Sequence, residues 1–105
     1  MRTVEELEHK ARRVWRRQGA RKATLVYEEL CQKLPESARH WALLGSVLLA
    51  VRRTDEAVCA MRTSIWLRMR AGDLRRAAAL ARVVLRHVDG DRTATRAIER
   101  CAQAA

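Results

Sequence analysis

The chain has no phenylalanine, one tyrosine, one proline and four glycines in 105 residues. Strands draw on β-branched and aromatic residues, so this shortage argues against a sheet domain. Cysteine is scarce too. Cys31, Cys59 and Cys101 are an odd number with no Cys-x-x-Cys pair and no histidine cluster beside them. That argues against a disulfide framework and a zinc centre and favours a reducing compartment, with Cys31 and Cys59 expected to be small apolar fillers. His9, His40 and His87 lie too far apart for metal-ligand spacing. The glycines stand singly, so no phosphate-cradling loop is present. No serine, histidine and aspartate set can be assembled from spacing, and Glu28-Glu29 reads as a solvated helix pair. Residues 1–10 are polar and lack the apolar centre of a secretion signal. The longest mostly apolar run, Trp41 to Val51, is too short to cross a bilayer. The expectation is a cytoplasmic, non-enzymatic protein with no cofactor, no metal and no membrane contact.

What the chain does hold is alanine and arginine. There are 18 alanines, and 19 of the 22 basic residues are arginine, against 12 acidic residues, for a formal net charge of +10. Alanine, leucine, arginine and glutamate all favour helix. The arginine excess fits either GC-rich coding or a surface that attracts carboxylates and phosphates. Two stretches concentrate it. Lys10 to Lys22 carries seven positive charges and no negative one, and Arg62 to Arg86 carries seven against Asp73 alone. Solvated faces, an acidic protein surface and nucleic acid all remain open as explanations.

Apolar spacing predicts six helices. Thr3 caps the first, which carries Val4, Leu7, Ala11, Val14 and Trp15 on one face and stops at Gly19. The second runs from about Arg21 to Lys33 with Ala23, Val26, Tyr27 and Leu30 inward, and Pro35 lies just beyond it. Ser37 caps a third helix reaching about Arg52, and Thr54 is expected to cap a fourth that turns Ala57, Val58, Met61, Ile65 and Met69 inward. After the break at Ala71-Gly72-Asp73, Asp73 caps a fifth with Leu74, Ala77, Ala78, Ala81, Val84, Leu85 and Val88 on its face. A second break, Asp89-Gly90-Asp91, precedes a last helix carrying Ala94, Ala97, Ile98 and Cys101. Trp66 shares no narrow face with both Ile65 and Leu67, and is expected over the following turn or in a contact between copies.

The spacing also repeats. Trp41, Leu44, Gly45 and Leu48, followed by Ala57 and Met61, read Trp-x2-Leu-Gly-x2-Leu…Ala-x3-Met. Thirty-four residues earlier, Ala23 and Tyr27 take the alanine and aromatic positions, and Pro35 takes the closing proline. On these residues the chain resembles the tetratricopeptide repeat family. The resemblance implies an all-α fold, a right-handed superhelical array of about three helix-turn-helix repeats. The repeats fall near 4–37, 38–71 and 72–105, the last degenerate: Arg75 and Ala79 stand one period after Trp41 and Gly45.

The resemblance further implies that the first helix of each unit lines a concave groove. Carried onto this chain, the contact positions are Glu5, Glu8, Arg12, Trp15 and Arg16, then Arg39, Ala42, Ser46, Leu49 and Ala50, then Asp73, Arg76, Leu80, Val83 and Val84. Trp15, Ala42, Leu49, Leu80 and Val83 would form an apolar floor, with Arg12, Arg16, Arg39 and Arg76 at its edge. A partner helix or peptide with apolar anchors and acidic residues would suit it. The implied role is an adaptor, a scaffold subunit or a small chaperone, with a second copy also open as a partner. The family's clamp for acidic chaperone tails is not matched, because Glu8, Arg12 and Ser46 stand where it would need lysine and asparagines. The alternative is a basic helical module that binds nucleic acid or another polyanion, which no recognition motif accompanies.

Overall fold

Thr3 opens the first helix as its side chain accepts a hydrogen bond from the Glu6 N–H at 3.1 Å. The computed structural model describes residues 3–104 and is all-helical there. The order is α1 (Val4–Gln18), α2 (Ala20–Lys33), α3 (Ala38–Ala50), α4 (Thr54–Arg70), α5 (Leu74–Leu85) and α6 (Arg92–Ala104). Ser37 and Asp73 cap α3 and α5 with side-chain oxygens, as their positions predict. Thr54 does not cap α4. It is the first helical residue, and the cap position is Arg53, whose side chain caps no backbone N–H and instead bonds Glu56 in the first turn, Nε to Oε1 at 2.8 Å. The third helix ends at Ala50 rather than Arg52, because Arg52 adopts the left-handed conformation (φ 64°). Its successor's N–H then reaches back to the Leu48 carbonyl at 2.9 Å, closing the helix. Gly72 makes the same turn after α4 with φ 79°, there without a Cβ penalty.

Packing follows chain order. Each helix packs mainly on its neighbours in sequence, and α4 also meets α6. The radius of gyration is 14.0 Å with extents of 42 × 26 × 18 Å, longer than the ~13 Å expected of a spherical domain this size. One apolar cluster joins α1, α2 and α3 with Ala57 and Ala60, and a second joins α4, α5 and α6. Leu49 packs against both and links them.

Burial recurs with the 34-residue period over the first two units. Ala23, Thr24, Val26, Tyr27, Leu30 and Cys31 are buried in α2, and Ala57, Val58, Ala60, Met61, Ser64 and Ile65 are buried one period later in α4. Ala11 and Val14 recur likewise as Gly45 and Leu48. The third unit departs from this register. Arg75 and Ala79 are exposed, whereas Leu74 is half-buried and Ala78 and Ala81 are buried one residue early. The long connection Arg86–Asp91 then delays α6, so that Ala94 and Ala97 take the places of Ala57 and Ala60. Val88 falls in that connection, outside α5, though it still packs against the second cluster.

Candidate functional site

The outward side of α3 is apolar. Ala42, Leu43 and Leu49 are half-buried, Ser46 and Ala50 are exposed, and Leu44, Gly45, Val47 and Leu48 are spent on the core. The other sequence-predicted groove residues have the same character. Trp15, Leu80 and Val83 are half-buried, and Arg12, Arg16, Arg39 and Arg76 are exposed. Val84 is the exception: fully buried in the second cluster, it cannot meet a ligand.

The structure gathers the arginines more tightly than spacing could indicate. A depression of about 70 Å³ between α1 and α3 is lined by Glu8, Arg12, Tyr27, Arg39, His40 and Leu43. A second, of about 550 Å³, is lined by Arg39, Leu67, Arg68, Asp73 and Arg76 among others. Arg39 therefore stands between Arg12 and Arg76, and the three form one basic row across α1, α3 and α5. Arg39 reaches Glu8 loosely at 3.8 Å, while Arg76 hydrogen-bonds its own cap Asp73 at 3.1 Å, both at the surface, where such pairs contribute little. Trp15 meets Tyr27 edge to face, 5.8 Å between centroids. Neither depression includes Arg16, which stays apart from this row.

Tyr27, His40 and Leu43 were missed as site residues by sequence reasoning. Burial raises the Tyr27 phenol above its ordinary value, Arg12 and Arg39 pull it partly back, and Glu8 raises it again. Its polar end thus feels the same charges that line the small depression. A bond between residues far apart in sequence joins two of its lining side chains, Glu8 and His40. The buried His40 bonds Glu8 Oε1 through Nε2 at 2.8 Å and Ser37 Oγ through Nδ1 at 2.5 Å. A proton on Nε2 satisfies both bonds, with the Ser37 hydroxyl donating to Nδ1.

Serine, histidine and carboxylate in a chain suggest a hydrolase triad, but the surroundings give it a structural job. Ser37 Oγ also caps α3 by accepting the His40 N–H at 3.4 Å, and neither adjoining depression is lined by Ser37. The chain pins α1 to the start of α3. Glu8→Ala should leave the buried imidazole N–H unpaired and cost about 1–2 kcal/mol, read as a lower urea midpoint. Glu8→Gln, which keeps an acceptor oxygen, should recover most of it. An unchanged midpoint for the alanine variant would mean that the pin contributes nothing.

Cys31 is buried, and burial together with Glu28 pushes its thiol up to about 12, far from thiolate chemistry. Cys59 is exposed rather than a core filler. Among the described residues no group of three His, Cys, Asp or Glu side chains could hold a metal ion. No helix there is long and apolar enough to cross a membrane. Trp66 is 53% exposed, with the Arg70 guanidinium from the following turn 4.6 Å above its ring. No protein-family model matches the chain, and no curated protein matches it.

Proposed function

We propose that this protein is a right-handed tetratricopeptide-like array of three units, whose α1–α3–α5 side holds an acidic, amphipathic segment of another protein. The observation that carries this reading is the pairing of two features on one side of the molecule. Ala42, Leu43 and Leu49 of α3 are only half-buried, and Leu43 shares the small depression with Arg12 and Arg39, the last of which also lines the neighbouring depression with Arg76. Apolar anchors on a partner helix would cover the first feature, and its carboxylates would meet the second. The 34-residue recurrence of burial supports the repeat reading independently. An adaptor, scaffold or small chaperone role follows, in which the protein contributes a surface and no chemistry.

Selection from a library of helical peptides at physiological salt tests it. Enriched sequences should combine apolar residues at i, i+3 or i+4 with flanking aspartate and glutamate. Arg12→Glu with Ser46→Glu should weaken a selected peptide about 10-fold or more, as reversed rim charges do, with circular dichroism unchanged because both positions are exposed. Leu49→Glu is a poorer probe, since Leu49 packs against both core clusters and its loss would disturb the fold. Enrichment of basic or featureless peptides, or full retention by the double variant, would defeat the proposal. Salt separates it from polyanion binding, where six phosphate contacts would lose ~10³-fold in affinity between about 50 and 200 mM.

A further inference from the structure

On another surface, the C-terminal half of α4 and α6 enclose an open cleft of about 810 Å³. Trp66 and Arg70 come from α4, and Arg92, Arg96 and Arg100 come from α6. A spacing of four residues sets the three α6 arginines on one face, each step rising ~6 Å along the helix. None of these four arginines has a carboxylate within ion-pair distance among the described residues. Nearby Arg62, by contrast, is held by Asp91. Glu99 is the one acidic residue lining the cleft.

The identity of the occupant follows from what would satisfy this set. An apolar helix would strip water from four guanidinium groups and give nothing back. A second copy of a chain with net charge +10 would bring arginine against arginine. An acidic peptide would answer the charge but brings a flat ring only where it happens to carry an aromatic residue, whereas every nucleotide pairs a ring with a phosphate. A duplex presents phosphates, yet keeps its bases stacked inside. Single-stranded nucleic acid supplies both parts, phosphates for the arginine forks and bases for stacking on an aromatic or guanidinium plane. Arg70 lies over the Trp66 ring, so indole and guanidinium together offer a stacking surface in the cleft that Arg92, Arg96 and Arg100 also line.

We propose that the α4–α6 cleft binds single-stranded nucleic acid, with Trp66 and Arg70 receiving a base and Arg92, Arg96 and Arg100 contacting successive phosphates. This site is separate from the α1–α3–α5 side and does not depend on it. Fluorescence anisotropy of labelled oligo-U and oligo-dT strands, titrated across a salt series, reads the binding. Replacing Arg92, Arg96 and Arg100 by Gln together should weaken it at least ~10-fold and reduce the logarithmic salt slope by about 2, the value for three contacts on a single strand. Trp66→Leu should weaken it ~10-fold with the slope kept, and Trp66→Tyr should restore most of that loss. A charge-matched control at exposed positions outside both sites, Arg13, Arg17 and Arg21 all to Gln, should weaken it far less. The idea is overturned if wild type shows no binding at low salt, or if the two arginine triples are equally weak. It is also overturned if a duplex binds as tightly as either strand, or if polyglutamate competes as well as unlabelled oligo-U.

Discussion

Gly45→Leu is expected to lower stability by about 3–5 kcal/mol, at the upper end of what one substitution does. Small domains have about 5–15 kcal/mol in total, so much of the protective margin would go. The reason lies in how closely α3 and α4 approach. A Cβ on Gly45 would stand 2.7 Å from Met61 Cγ, 3.2 Å from Met61 Cε and 3.3 Å from the Ala57 carbonyl oxygen. Met61 is a flexible side chain that can shift, but it is 1% exposed and has little room to do so. The Ala57 carbonyl is backbone and cannot move without α4. Even Gly45→Ala must therefore overpack the seam, at about 1–3 kcal/mol, offset by the ~1 kcal/mol that alanine gains over glycine in a helix. Leucine adds three more carbons to the same space. Urea unfolding followed by circular dichroism measures both variants. Met61→Ala removes the atom that clashes first, so its destabilisation should be smaller in the Gly45→Ala background than alone, by ~0.5 kcal/mol or more. A Gly45→Leu protein that melts like wild type would remove the close helix contact from the account of the fold.

That contact also marks how far the sequence could be read. Gly45, Ala57 and Met61 stand at fixed spacing, and the helical hairpin they imply forms as expected. Thr3, Ser37 and Asp73 were legible as caps because capping is local chemistry. The third unit was less legible for a physical reason. Positions 77, 78, 79 and 81 are all alanine, so no bulky residue fixes which face turns inward, and burial shifted by one residue. The connection Arg86–Asp91 then carried α6 further out of period. Long-range pairs were invisible altogether. Glu8 meets His40 across 32 positions, and Arg62 meets Asp91 across 29. The arginine ladder of α6 could be counted in the sequence, but not the neighbouring indole of Trp66, which α4 supplies.

Asp91 gives the second large effect. It was read as part of a chain break, and the structure makes it the cap of α6 and the partner of Arg62 at once. Its carboxylate accepts from Arg62 Nε at 2.7 Å and from the Ala94 N–H at 3.0 Å, while its backbone oxygen accepts from the Thr95 N–H at 2.9 Å. Asp91→Ala deletes the cap, about 1 kcal/mol, and strands a guanidinium beside the second core. Breaking a fully buried pair costs 3–5 kcal/mol. The Arg62 side chain is 38% exposed, so water recovers part of that, and the expected total is about 2–4 kcal/mol. Asp91→Asn, which caps well but carries no charge, should lose about half as much. The pH dependence follows from the direction of the shift. Burial pushes the Asp91 carboxyl up, but the Arg62 bond and charge and the Ala94 and Thr93 N–H groups outweigh it, leaving it below the ordinary value. A carboxyl depressed in the folded state adds stability above its unfolded pKa, ~3.9, and loses it as pH falls through the folded value. Wild type and Asp91→Ala should thus differ fully at neutral pH, while the charge-dependent part of the gap narrows below about pH 4. A gap unchanged down to pH 2, or none at neutral pH, would show that Asp91 does not hold α6 through its charge.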